Sequence, residues 1–531
     1  MVLRFLAFLS LALCLIGCAE RRSESGLKVL HFGNGDEPQD LDPQVVSGAI
    51  EHKLFLALFE GLVAQNPLTD EPEPGVAKSW TVSPDGLIYT FQLRDNARWS
   101  NGDGVTAGDF VRSYQRILTP SLASDYAYML YVLEGAQAFN QGKLDDFTKV
   151  GVRALDTYTL ELRLRQPTPF LLKALQHYAW YPVHIPTIEK FDALGRRGTA
   201  WTRLENFVGN GPFTLKEWRP GQKIVVERAA GYWDRDQVKL DQIHFYPISS
   251  TDVEERLFRT GQLDVTYQVP ASKLDVYRRE RPGVLRIDPW YGTYFYRFNI
   301  QKKPLDDVRV RRALALAVDR QSLVQNVTLA GEMPAFSVIP QEVAGYRSSA
   351  ALVEDVAEAR RLLAEAGFPE GRGFPRLEIN INILDRHQVI AEAIQQMWKR
   401  NLGIEVGIVN QEWRVYMATQ NAISFDIQRG GWIADYMDPH VFMDMWITGG
   451  GNNHTHWAKP EYDELLGSAL GAPSQEARYD IYRRMEGILL ADMPVMPLFY
   501  YVHSRLVDEK VLHYRTTPMD DFPWKHVDLK P

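Results

Sequence analysis

Cysteine is almost missing from this chain. Its 531 residues hold two, Cys14 and Cys18, both close to the amino terminus. Nothing after Cys18 carries a thiol, which excludes disulfides, thiolate metal centres and cysteine nucleophiles from the body of the protein. Long apolar runs are missing too, because beyond Cys18 no uncharged stretch reaches the about 18 residues that a membrane-spanning helix needs. There is no extended basic block, and the formal net charge is −8, so nucleic acid is not an expected partner. Catalytic signatures are absent as well: no Gly-x-Ser-x-Gly elbow, no His-Glu-x-x-His helix and no Walker loop. The chain therefore reads as a non-enzyme that needs neither cofactor nor metal.

What the amino terminus does contain is specific. Arg4, the apolar run Phe5 to Ile16 and then Leu15-Ile16-Gly17-Cys18 form an export signal over 1–18 whose end resembles the bacterial lipoprotein cleavage pattern. The expected mature protein starts at a lipidated Cys18, with 19–26 as a polar tether to a membrane surface, and works outside the cytoplasm. The whole sequence is 45% hydrophobic and 24% charged, ordinary for globular protein and long enough for two or three domains. Its 38 Gly and 30 Pro are scattered, so composition marks no linker.

Local periodicity predicts a mixed α/β chain. Leu87 to Arg94, after the turn-like Ser83-Pro84-Asp85-Gly86, and Thr159 to Leu164 alternate apolar with polar residues and are expected half-buried strands. Ala107 to Ile117 and the stretch from Tyr126 to Phe139 have helical spacing. Leu377 to Ile383 alternates, His387 to Arg400 is helical, and Ile404 to Ile408 alternates again, which predicts a strand, crossover helix and parallel strand. A helix with apolar face Val356, Ala359, Leu363 and Ala366 precedes that unit, closed by Gly367. Phe425 to Arg429 is a further expected strand. Ligands in open α/β sheets bind beyond the carboxyl ends of strands, so the following Gly430-Gly431-Trp432-Ile433-Ala434-Asp435 is a candidate site.

The segment Arg429 to Pro439 resembles the ligand-amine motif of the periplasmic oligopeptide-binding proteins, the receptors of peptide ABC importers. Further matches run along nearly the whole chain: Leu41-Asp42-Pro43, Phe59-Glu60-Gly61-Leu62, Pro74 to Trp80, Trp99-Ser100-Asn101-Gly102, Gly209 to Phe213, Tyr232-Trp233-Asp234, Asp306 to Arg311, and Asn410-Gln411-Glu412-Trp413. The resemblance implies a periplasmic binding-protein fold, two lobes about a hinge cleft, in three domains: 19–59 with 187–291 and 503–531, then 60–186, then 292–502. It implies a monomer that captures short peptides by their backbone and terminal amine and docks on an inner-membrane ABC permease. Asp435 matches the amine-binding carboxylate and Tyr126 a tyrosine near it. Ala49 matches a main-chain contact point, and Gly431 is a further ligand-binding candidate because the glycine pair allows close backbone approach. Arg429 and His387 match candidates for the peptide carboxyl end, and Trp413 and Trp432 match pocket walls. Each has a plain alternative: a salt bridge within the protein for Arg429, a helix cap for His387, core packing for the tryptophans.

Departures from that pattern are as informative. Ile433 and Gly292 stand where some relatives place a disulfide. Arg297 stands at a position that is acidic in broad-specificity relatives; either it favours a ligand with an acidic side chain, murein-derived peptides included, or it pairs with a nearby Asp or Glu. His454 and His456 have strand-like spacing that suits a metal, but no third ligand accompanies them. A transport receptor, a peptide hydrolase and a sensor for a signalling partner remain distinct readings.

Overall fold

Two of the three main sheets form around the alternating segments, whose apolar faces need a partner layer. The computed structural model describes residues 26–530 except 47, 67, 70, 342–344 and 522, so the signal segment and Cys18 lie outside the described residues. Ile88–Leu93 and Thr159–Arg163 pair antiparallel, with Phe91 opposite Leu160, inside a four-stranded sheet completed by Ala77–Val82 and Val152–Asp156. The helix Ala107–Leu118 covers this sheet. Thr106 and Asp109 close a capping box at its start, and Phe110, Tyr114 and Ile117 bury one face. The expected helix from Tyr126 to Phe139 is broken: a 3₁₀ turn, Ala127–Val132, and a short helix, Ala136–Asn140, flank Gly135, whose φ of 71° is unfavourable for other residues.

A second four-stranded sheet joins chain-distant pieces. Val29–Gly33 lies parallel to Gln242–Tyr246, followed by Lys223–Arg228 and Phe213–Arg219. The third sheet has six strands in the order Met333–Pro334, Val495–Leu506, Leu285–Phe298, Ile427–Ile433, Leu377–Asn382 and Val406–Gln411. Its parallel edge is the expected unit, with Leu377 opposite Val406 and the crossover helix at Asp385–Leu402. The other two long strands did not announce themselves. Leu285–Phe298 is fourteen residues long and its last eight are all buried, so no alternation marks it. Mixed strand directions and covering helices make this an α/β fold.

Buried polar links hold the pieces in place. Arg116, on the helix over the first sheet, donates from Nη2 to Asp42 Oδ2 at 2.6 Å and from Nη1 to Gln44 Oε1 at 2.8 Å; Trp201 Nε1 donates to Asp42 Oδ2 at 3.2 Å. The two charged side chains are 0% and 3% exposed. Removing one partner would strand the other charge in a dry interior, so Asp42→Ala should lower unfolding free energy by about 3 to 5 kcal/mol in urea titrations. The double variant Asp42→Leu with Arg116→Met should lose less than that single change.

Candidate functional site

One pair of strands carries most of the site. Gly292 to Phe298 runs antiparallel to Ile427–Ile433, with Gly292 opposite Ile433, Thr293 opposite Trp432, Tyr294 opposite Gly431 and Arg297 opposite Gln428. Opposed residues share a face. Thr293, Phe295, Arg297, Gln428, Gly430 and Trp432 therefore lie on one face, and Tyr294, Tyr296, Arg429 and Gly431 on the other. The strand continues to Ile433 rather than stopping at Arg429 as its alternation suggested. The glycine pair is thus inside the strand, where it allows close approach: a Cβ at Gly431 would sit 2.4 Å from Tyr501 Oη, and one at Gly430 would sit 2.7 Å from Arg297 Nη2. The cross-strand pairing of Gly292 with Ile433 makes them immediate neighbours.

Asp435 follows directly beyond the strand end. Its carboxylate accepts a hydrogen bond from the Tyr128 hydroxyl, from the other side of the cleft. No cationic side chain among the described residues pairs with it. Burial pushes its carboxyl up to about 6, and the Tyr128 hydrogen bond acts against that rise. Asp444 is raised well above the carboxylate range by burial and by the charge of Asp435. Tyr126 stands beside this pair and packs edge-on against His177, at 4.7 Å between ring centres, and Tyr178, at 5.6 Å. Thus Tyr128, not Tyr126, contacts the carboxylate. Nearby, Phe170 stacks on Tyr436 at 4.7 Å, so the first sheet's layer and the segment after Asp435 form one apolar contact.

Six residues upstream, Arg429 Nη2 donates to Tyr501 Oη at 3.2 Å, and its guanidinium lies 5.0 Å from the Tyr294 ring centre. The expected internal salt bridge of Arg429 is not among the described contacts. His387 is 5% exposed, its Nδ1 is 3.2 Å from Tyr294 Oη, and burial with the charges of Arg429 and Arg386 lowers it to about 3. It is a neutral neighbour of Arg429, neither a cation nor a helix cap. Trp432 is half-buried, and its indole Nε1 has no partner. On the same face Arg297 is 5% exposed and makes no hydrogen bond or ion pair with any described residue, so the expected pairing with an Asp or Glu is not observed. His454 lines the same pocket as Arg297.

The side chains of Ala49 and Trp413 lie outside the described residues. Their backbones open the helices Ala49–Leu58 and Trp413–Asn421. Sequence reasoning missed Tyr128, Asp444 and Tyr501. Only Tyr128 had a usable signal, two residues from Tyr126 in a segment already singled out.

The raised Asp435 carboxyl has a stability consequence. An acid whose folded value lies above its unfolded value of about 3.8 contributes stability below that value and loses it as pH rises through about 6. Asp435→Asn should therefore match the wild type near pH 4 and become the more stable protein above pH 6, read as the difference in unfolding midpoint against pH. Tyr128→Phe removes a donor to the carboxylate and should move that crossover upward.

Known proteins resemble this chain along most of its length. The profile of the bacterial extracellular solute-binding proteins, family 5 Middle, matches residues 71–454. The periplasmic oligopeptide-binding protein OppA of Salmonella typhimurium is 37% identical over 513 residues, covering 93% of this chain and 91% of its own. The Escherichia coli murein tripeptide binding protein MppA superposes with a TM-score of 0.83 at 34% identity, covering 95% of this chain and 99% of its own. Haemophilus influenzae OppA in complex with RPPGFSPFR gives 0.80 at 32%, again over 95% of this chain and 99% of its own. The polypeptide is a binding protein rather than an enzyme, with the α/β periplasmic binding-protein fold, and it belongs to the family 5 bacterial extracellular solute-binding proteins.

Proposed function

We propose that this protein captures short peptides in the cleft between its lobes and delivers them to an ABC permease in the inner membrane. The observation that carries the reading is Asp435, a half-buried carboxylate with a hydroxyl donor from the opposite lobe and no protein cation beside it. A peptide ammonium supplies the missing charge and forms a charge-assisted hydrogen bond there. Extended peptide backbone then bonds to strand edges of the cleft, a strand-addition mode of recognition. Peptide complexes and peptide names among the relatives support this choice of ligand.

Closure follows from ligand touching both lobes. A ligand shifts an open–closed equilibrium only by its differential affinity for the two states. The moving units we infer are 60–186 and 292–502 with the discontinuous unit 19–59, 187–291 and 503–531 as third. Two strands, Leu285–Phe298 and Val495–Leu506, cross between the last two, and their register slips between Pro289 and Thr293. Such a slip is a place where a strand pair bends, and the Trp290 ring lies tilted by 32° against His503 there, at 4.0 Å between ring centres. At the amino terminus, Cys18 carries the lipid that holds the receptor at the membrane, in the periplasm.

Two measurements test these assignments. Calorimetry should find tri-alanine bound and N-acetylated tri-alanine weakened a hundredfold or more, with Asp435→Asn weakening tri-alanine similarly, because a buried charge without its partner costs about 3 kcal/mol or more. Wild-type affinity should fall below about pH 6 as the carboxyl takes up a proton; equal affinity for the acetylated peptide would remove Asp435 from the role. Radiolabelled palmitate should enter the wild type in cells and not Cys18→Ser.

A further inference from the structure

Arg297 carries a buried charge that no described residue pairs. It is 5% exposed, its Nε is buried without a partner, and no carboxylate is among the groups that act on it. Burial lowers it to about 10, so it stays protonated at neutral pH. A guanidinium held in this way is costly unless an anion joins it. The space beside it is a pocket of about 170 Å³, several times the about 30 Å³ that one water occupies in the liquid. Arg297, Tyr416, Gln420, Asn452 and His454 line it with polar groups; Arg429, rooted on the opposite face, also borders it, beyond Gln428 where the neighbouring strand's pairing ends; Met417, Trp432 and Met445 add apolar wall, and no acidic side chain takes part. Three lining donors, Arg297 Nε, Arg429 Nε and Trp432 Nε1, are buried with no acceptor. His454 is lowered to about 4 by burial and by Arg297, so it is neutral and can offer an N–H without adding charge. Gly430 makes the room: a Cβ there would fall 2.7 Å from Arg297 Nη2.

We propose that this pocket receives an acidic side chain of the bound peptide, and that Arg297 makes the protein a receptor for peptides carrying Asp or Glu. The assignment rests on the peptide reading above and deepens it. Position agrees with that reading. Trp432 and Gly430 precede Asp435 by three and five residues, so at about 3.3 Å per strand residue the pocket lies within about 10 to 17 Å of the carboxylate. An extended peptide with its amine on Asp435 covers that distance in three to five residues. A lysine or arginine side chain entering the pocket would meet two like charges. A neutral one would leave the orphan donors and the guanidinium unpaired.

The same carboxylate chemistry could come from the peptide's own carboxyl terminus, and the test separates the two sources. Alanine peptides of three to five residues would be prepared with Glu or Gln at each position after the first, each with a free and an amidated carboxyl terminus. Their affinities would be measured by calorimetry for the wild type, Arg297→Gln and Arg297→Lys. The expected result is a preference for Glu over Gln of at least about tenfold at one position, kept on amidation, erased by Arg297→Gln and partly retained by Arg297→Lys. The Glu and Gln comparison on wild type stands even if a variant fails to fold. Equal affinity for Glu and Gln at every position, with alanine peptides still bound, overturns the acidic pocket and leaves the peptide reading intact. A preference that vanishes on amidation assigns the pocket to the terminal carboxylate and also overturns it. No binding of any peptide removes both.

Discussion

The antiparallel register between Gly292 to Phe298 and Ile427–Ile433 governs the geometry of the cleft floor. Because side chains alternate along a strand, a one-residue slip would send Arg297 and Trp432 to the opposite face and remove the space above Gly430. The register is secured on both sides. Leu285–Phe298 is flanked by Val495–Leu506 as well as by Ile427–Ile433, and its buried tyrosines and phenylalanines are packed from both faces. Neither glycine of the pair tolerates a side chain without displacing a neighbour. The sheet thus fixes spacing, and the loop beyond its end adds Asp435 at a defined distance.

Charge is distributed along that floor in an uncompensated way. Asp435 has one hydroxyl donor and no cation, while Arg297 has no anion. Protein interiors rarely leave charges of either sign unpaired, and pairing the two with each other is prevented by their separation along the strand. Only a group carrying an ammonium toward Asp435 and a carboxylate toward Arg297 would compensate both. The buried Asp42 and Arg116 pair offers the contrast: there the protein supplies both partners and adds hydrogen bonds from Trp201 to the carboxylate and from the guanidinium to Gln44.

How much of this was legible depends on how each element is buried. Strands Ile88–Leu93, Thr159–Arg163 and Leu377–Asn382 were readable because apolar and polar residues alternate along each, and Val406–Gln411 because Ile404, Val406 and Ile408 do so at its start. The helix Asp385–Leu402 was readable from its 3.6-residue apolar spacing. Leu285–Phe298 was not, since a strand buried on both faces has no period, and Ile427–Ile433 was cut short because Gly430-Gly431 looks like a turn. Asp435 was visible through family resemblance. Its hydroxyl partner Tyr128 was not, because that contact depends on how two distant segments meet. Arg297 was visible as an oddity, but only tertiary structure could tell a paired arginine from an unpaired one.

The apolar contact between Phe170 and Tyr436 belongs to a buried cluster that runs without a break from Leu62 and Trp180 on one side of the cleft to Trp446 and Leu489 on the other. Any opening wide enough to admit a ligand must bring part of that cluster into contact with water. Hydration of apolar surface raises heat capacity by about 0.45 cal/mol/K for each Å² exposed, so the open form has the higher heat capacity. Opening is therefore favoured differently at different temperatures: cooling weakens the apolar contact and shifts the resting population toward the open form, before any ligand is present.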